Sequence, residues 1–480
     1  MEKMPARYLL PFILAAPLLQ GVMDARLLAF FSVLAAALLS LRLWRGKEAV
    51  LTPSAACLLA VALFSALAVY LSPVRHAVRH EWLALAAGLC LFFLAKGQSV
   101  RDRAFTDAGI RAVSWALAAV ALYQAFILKS ENVSSTLVNP NALAFFVLLA
   151  GPLAVARGDF VLTAVLALVF FLTGSLGALL ALIAAAAFMA VIALRRSGDR
   201  RALVLLAVLA AAAVLTLTQS DFISAANRFS WWRSAAAMFA DSPVFGHGHS
   251  AFTWLYPLYG SPAAAEGSVY AHNHYLEFAA ENGLPAALAW FSLLGMALAG
   301  ARRLALFGLL AALLHSALDF GLSLPANFWL FCVLAGRELP AAEKPFFRGD
   351  GRPAAVLAGL LAAAAAFSSL TPASYEKETG TALARLREGA DQAALQSLRR
   401  ASALPYGRGE TEETSGRLRY SISRRTGSRE DLFLAAVDLE KALLKMPSRY
   451  SSASALRALY AGAGLPGLAE HERFGRRGEP

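Results

Sequence analysis

Two stretches carry most of the side chains able to do acid–base or charge-stabilising chemistry. The first is NRFSWWRSAAAMFADSPVFGHGHSAF, beginning at Asn227, and the second is YAHNHYLEFAAENGLPAAL, beginning at Tyr270. In the second, the pattern predicts a helix that begins at about His272 and runs straight into an apolar block. Backbone N–H groups at a helix start favour anions, phosphate above all. An imidazole there can take a proton from an attacking hydroxyl. Arg228 and Arg233 of the first stretch, with Arg75 and Arg79 of the loop 73–81, can offset the charge of a diphosphate as forked donors. A structural reading competes at each position. An interfacial His often serves packing alone, and Arg on an amphipathic helix often faces water or lipid headgroups. His247, His249, His272 and His274 form two His-x-His pairs, a ligand type that zinc accepts. The long loop between the pairs and the lack of external Cys argue against a metal, and no metal or cofactor is expected.

These residues must be held by a membrane-embedded frame. Of 480 residues 58% are hydrophobic and 16% charged, with a net charge of +12; a soluble chain carries about 25% charged residues. The apolar residues fall in blocks of about 17–20, enough as helices to cross a bilayer core of about 30 Å. Backbone groups in lipid pair internally, so such blocks are read as helices. The sequence therefore predicts an all-α, polytopic helical membrane protein with about 12–13 transmembrane helices. Spans are expected near 8–22, 27–43, 54–71, 82–96, 109–128, 142–156, 160–174, 177–194, 202–219, 284–300, 304–320, 325–339 and 354–371. Cys57, Cys90 and Cys332 all lie in these blocks, so no disulfide framework is implied.

The net positive charge would suggest nucleic acid in a soluble protein. Here it follows the positive-inside pattern, with no nucleic-acid partner expected. Lys3 and Arg7, Arg42, Arg45 and Lys47, Lys96, Arg101 and Arg103, and Arg157 fall in alternate loops. The same set continues with Arg195, Arg196, Arg200 and Arg201, then Arg302 and Arg303, then Lys344, Arg348 and Arg352. That face is read as cytoplasmic, with the amino terminus. The segment 220–283 and everything after Thr371 are then external. Loop 73–81 breaks the rule with Arg75, His76, Arg79 and His80 outside, either tolerated or a patch for an anionic headgroup. Residues 1–372 read as the transmembrane domain. Residues 373–480 read as a small external helical domain with helices at 375–389, 392–403, 412–425, 430–445 and 450–461, similar to tetratricopeptide hairpins but without a regular period. Residues 230–240 read as an interfacial helix anchored by Trp231, Trp232 and Phe239.

The second stretch resembles the signature of the O-antigen ligase and O-antigen polymerase family, with His272, Asn273 and Gly283 at its spacing and Tyr275, Leu276 and Glu281 in familiar places. Three further segments match in order: Arg228, Trp232, Pro243, Gly246 and Gly248; Asn139, Pro140 and Asn141; and His315, Asp319 and Pro325. The resemblance covers most of residues 130–340. One departure is Leu176, in TGSLGA, where the family often has Arg.

The resemblance implies a GT-C-like fold and a metal-independent inverting glycosyltransferase at the periplasmic side of the inner membrane. The donor would be a glycan on undecaprenyl diphosphate; the acceptor would be lipid A-core, a growing glycan or a protein hydroxyl. It implies catalytic roles for His272 and Arg228 and diphosphate contacts from Arg75, Arg79, Arg228 and Arg233. Asn139, Asn141, Asn273, Tyr275, Glu281 and Asp319 would support them. Ligase is the first reading, with polymerase and protein O-oligosaccharyltransferase beside it. A glycolipid transporter or non-catalytic scaffold is the reading of a different class.

Overall fold

The computed structural model describes residues 5–46, 48–198, 201–218, 222–260, 268–340, 343–404, 406–407 and 409–465. Lys3, Lys47, Arg200 and the polar run 470–480 lie outside these. The chain is an all-α polytopic membrane protein. In chain order the helices are α1 (Ala6–Leu18), α2 (Ala25–Gly46), α3 (Pro53–Leu71), α4 (Arg75–Ala95), α5 (Val100–Leu122), α6 (Pro140–Ala156), α7 (Phe160–Leu172), α8 (Leu176–Ser197) and α9 (Arg201–Thr218). There follow α10 (Phe222–Asp241), α11 (Phe252–Tyr259), α12 (His274–Gly300), α13 (Arg303–His315), α14 (Pro325–Glu338), α15 (Arg352–Arg387), α16 (Asp391–Ala403), α17 (Glu410–Thr426), α18 (Arg429–Lys445) and α19 (Tyr450–Gly462). Each span expected from hydropathy falls on one of them. Among the described residues, 6 helices are long and apolar enough to cross a membrane alone, and further apolar helices run 10–17 residues.

Local sequence sets the helix starts. Side chains of Thr52, Asn139, Asp159, Ser175 and Asn273 accept from the first free backbone N–H groups of α3, α6, α7, α8 and α12, which have no partner inside the helix. Ser99 and Asp102 form a reciprocal capping box at α5.

Two corrections concern element bounds. The last expected span and the helix at 375–389 form one 36-residue helix, α15, with Pro372 inside it. It runs antiparallel along α2, with Ser40 Oγ donating to the Ala355 carbonyl at 2.8 Å and Arg26 paired with Glu376. That packing carries the helix through the proline. The second correction is the start of α12: Asn273 is its cap, so His272 precedes the helix in a left-handed conformation, φ 53°.

The helices bring the chain's loops to two ends of one bundle. At one end β1 (Glu48–Leu51) pairs antiparallel with β2 (Phe347–Asp350). Beside them Lys96 pairs with Glu343 at 3.0 Å and Arg103 with Glu338 at 3.0 Å. These are loops whose basic residues share one face in the sequence pattern. The starts of α6, α12 and α14 and the end of α13 meet at the other end. Between them Trp290 and Trp329 are wholly buried with Phe12 and Phe92. Small residues allow the closest approaches: a Cβ on Gly336 would stand 2.3 Å from the Phe92 carbonyl oxygen.

The carboxy-terminal helices α16 to α19 pack in sequence order. They dock on the loop-rich end of the bundle. Met446 joins the apolar cluster of Val74, Trp231 and Phe252, and Ser448 contacts the Trp254 carbonyl. The His80 ring meets Tyr406 edge-on at 5.5 Å.

Candidate active site

Asp319 lies just after α13 and is 1% exposed. Four groups converge on its carboxylate. Asn141 Nδ2 donates to Oδ2 at 2.7 Å, and the Phe320 backbone N–H donates to Oδ1 at 2.8 Å. His272 Nδ1 stands 3.4 Å from Oδ1, and an Arg228 terminal nitrogen stands 3.7 Å from Oδ2. Arg228 Nε also donates to the Leu318 carbonyl at 3.2 Å. The two residues read as catalytic are thus brought together on a carboxylate read only as supporting. A buried charge is costly unless paired and hydrogen-bonded; here the partners come from α6, α10 and the turn before α12.

The backbone around His272 is fixed from both sides. Glu277 Oε2 accepts from the Ala271 N–H at 2.6 Å, and Ser323 Oγ donates to Oε1 at 3.3 Å. The His274 N–H donates to the Ser316 carbonyl at 2.8 Å, and the Asn273 side chain accepts from Tyr275 and Leu276 N–H at 3.1 Å. These bonds hold His272 in its left-handed turn, a conformation that persists only where surroundings over-determine it. Its ring stacks on Trp231 at 4.8 Å and meets the edge of Phe320 at 5.0 Å. The imidazole keeps 15% of its surface open. Trp231 is therefore a wall of the site and 7% exposed, which corrects its reading as a lipid anchor: α10 is pressed between α11 and α12.

The paired glycines of the first stretch interlock with the helix of the second. His247 and Gly248 N–H groups donate to the Ala280 and Glu281 carbonyls at 3.1 and 2.7 Å, and the Leu284 N–H donates to Pro243 at 2.8 Å. Those bonds take up groups freed by the kink at Gly283, φ 77°. Glu281 Oε1 accepts from the Phe252 N–H at 3.0 Å, so it braces α11 and does not reach Asp319. Tyr275 donates to the Leu313 carbonyl at 2.9 Å and packs on Phe291, which gives it a structural part. Asn139 caps α6 and orients Asn141 by accepting from its N–H at 2.8 Å.

The remaining predicted arginines stand apart. Arg233 is exposed on α10. Arg75 is exposed and Arg79 half-buried on the first two turns of α4, where Val74 and Val78 share a cluster with Trp231 and Ala271. His76, beside them, lies within the electrostatic reach of Lys445 and Glu412, so this basic turn borders the carboxy-terminal helices. One ring of each His pair, His249 and His274, lines a small cavity with Glu277 and Glu281, and both pack on Phe278. His247 Nε2 contacts the Met238 carbonyl at 2.9 Å, His249 Nδ1 lies 3.6 Å from Glu281, and Trp290 donates to His274 Nε2 at 3.0 Å. Burial pushes the His249 pKa down to about 4, so that ring is neutral near pH 7.

Leu176 begins α8 beside the site: a Cβ on its neighbour Gly177 would stand 3.8 Å from the His315 ring and 3.9 Å from Leu318. From Leu318 an apolar groove of about 560 Å³ runs between α8, α9 and α13, past Leu314, Leu180 and Leu209.

Residues 161–291 match the family model described as O-antigen ligase. Over that segment the chain is similar to the O-antigen ligase family. This is the family whose motifs it resembles. The matched segment holds Arg228, His272 and the Leu176 position, and stops short of Asp319. No curated protein matches the chain. That likeness and the apolar helices support a ligase- or polymerase-type function for a multi-pass bacterial membrane protein, and the family implies lipid-linked glycan substrates.

Sequence reasoning did not single out Glu277, which holds the turn before His272, or assign Asp319 its central place. An acid in the first turn of α12 and a lone carboxylate between two apolar blocks were the available signals.

Proposed function

We propose that this chain is an O-antigen ligase: a metal-independent, inverting glycosyltransferase that moves a glycan from undecaprenyl diphosphate to a hydroxyl of lipid A-core at the periplasmic face. The convergence of His272 and Arg228 on Asp319, at the end of an apolar groove, carries the reading. Nδ1 faces Asp319, and a proton carried on that nitrogen leaves Nε2 as the base. The acceptor hydroxyl attacks the anomeric carbon as Nε2 takes its proton, and the bond from that carbon to the diphosphate oxygen breaks. Undecaprenyl diphosphate leaves with the electron pair. Asp319 steadies the imidazolium, as an orienting carboxylate does beside other catalytic histidines. Arg228 meets the charge growing on the diphosphate. Diphosphate is a good leaving group, so positioning and charge stabilisation supply most of the acceleration. The groove beside Leu318 suits the isoprenoid tail. Residues 1–372 form the catalytic membrane domain in this reading, and residues 373–480 an external domain bordering it.

Glycan profiling of a deletion strain tests it, with polymer length and lipid attachment scored separately. The ligase reading expects polymer of normal length that is not attached to lipid A-core. Lost polymer length with attachment retained would make the chain a polymerase instead.

A further inference from the structure

The bundle has a second basic site, at the end away from His272. A cavity of about 880 Å³ opens there between the ends of α6, α12 and α14 and the starts of α5 and α13. Five arginines line it, Arg103, Arg157, Arg302, Arg303 and Arg337, against the carboxylates of Asp107 and Glu338. Those two are already taken. Asp107 pairs with Arg157 and Arg337 at 2.5 Å each, and Glu338 with Arg103 at 3.0 Å and Arg337 Nε at 3.3 Å. Arg302 and Arg303 are exposed at the cavity with no carboxylate within ion-pair distance among the described residues. Arg303 holds a left-handed φ of 49°, uncommon for a non-glycine residue.

The rest of the lining is apolar, including Leu149, Pro152 and Leu153 of α6 and Leu309 of α13. Asp107 and Glu338 fix three guanidinium groups in place, and two more remain to receive an anion. The apolar wall beside them receives carbon chains. Arg303 and His315 stand at opposite ends of the 13-residue α13, about 20 Å apart, so a phosphate held by Arg302 and Arg303 does not reach Asp319.

We propose that this cavity binds the phosphate headgroup of an anionic lipid, Arg302 and Arg303 gripping the phosphate while the acyl chains lie along α6 and α13. Forked guanidinium donors suit phosphate oxygens, and basic pockets between membrane helices hold such headgroups. The proposal is independent of the transfer reaction.

Its test uses the full chain in detergent, offered an equal mixture of phosphatidylcholine and cardiolipin, with bound lipid read by native mass spectrometry. Cardiolipin should be retained about ten-fold over phosphatidylcholine, scaled to the phosphate affinity of two arginines. The double variant Arg302→Gln, Arg303→Gln should lose that preference, and Ala156→Trp, which narrows the cavity without changing charge, should lower occupancy. Arg195→Gln with Arg196→Gln, basic residues outside the cavity, should keep it. An unchanged preference in the first double variant would overturn the proposal. So would an equal loss in the second, which means surface charge alone, or displacement by inorganic pyrophosphate, which means a soluble ligand. Should the first double variant fail to fold, the Ala156→Trp result decides, with unchanged occupancy counting against the site.

Discussion

His272 Nδ1 faces Asp319 Oδ1 at 3.4 Å, and the same carboxylate meets Arg228 through its other oxygen at 3.7 Å. One buried acid therefore orients both the base and the charge stabiliser of the proposed reaction. Asp319→Asn keeps the shape and removes the charge. Transfer should fall by a factor of about 10²–10³, as when a group acting on transition-state charge is lost, while the inserted protein stays at normal level. His272→Ala should lower transfer at least as far, and the double variant should be no slower than His272→Ala alone, because the two act as one unit. Additive losses, or wild-type turnover in Asp319→Asn, would separate the carboxylate from the mechanism.

Arg228 has a carbonyl on Nε and a carboxylate near one terminal nitrogen. Arg228→Lys keeps the charge and loses the fork, so a partial loss is expected, about ten-fold, against about 10²–10³ for Arg228→Ala. Steady-state transfer with a lipid-diphosphate donor measures both. Equal rates for the two variants would show that geometry, not charge, is what Arg228 supplies.

The hydropathy blocks were enough to place the apolar helices, because a helix in lipid is written in composition. The helices α16 to α19 were legible for another reason, their polar faces and the proline, glycine and serine residues between them. Trp231 was not. The interior of the bundle and the lipid are equally apolar, so periodicity cannot say which of the two an apolar face meets. The role of Asp319 was hidden too, since its partners Asn141, Arg228 and His272 come from three separate parts of the chain and only packing unites them. The unbroken α15 was missed because the support for Pro372 lies in α2, far away in sequence.

The interlocked glycines predict a folding defect, not a catalytic one. A Cβ on Gly283 would stand 2.1 Å from the Val244 carbonyl oxygen, at a φ of 77°. One on Gly246 would stand 2.4 Å from the Glu281 carbonyl oxygen. Both neighbours are backbone and cannot swing away. Gly283→Ala and Gly246→Ala should each cost more than about 1 kcal/mol and lower the amount of inserted protein. Activity per molecule should fall less than in Asp319→Asn.

The neutral His249 gives the external segment an acid sensitivity. Its folded pKa is lowered by burial from 6.5 to about 4, so the unfolded ring binds a proton that the folded ring refuses. The stabilisation is complete above about pH 6.5 and is lost as pH falls toward 4, by roughly 3 kcal/mol at the limit. Wild-type melting temperature in detergent should drop between pH 7.5 and pH 5, and His249→Gln should flatten that drop. Parallel curves for the two proteins would assign the acid sensitivity to other groups, with Glu281 at 3.6 Å the nearest.

Leu176 offers the sharpest test of where the donor diphosphate is held. It opens α8, and its neighbour Gly177 lies against His315 and Leu318, so an arginine at position 176 is expected to add charge near the proposed diphosphate. Arg75 and Arg79 lie on another element, against the carboxy-terminal helices. If they serve the donor, Arg75→Ala with Arg79→Ala should slow transfer by about ten-fold or more. Leu176→Arg alone should then change little, yet restore part of the loss in the double variant. Full activity in the double variant would make the turn at α4 a docking point for the carboxy-terminal helices. The donor charge would then rest on Arg228, and Leu176→Arg should raise the affinity for the lipid-linked donor without any variant to rescue.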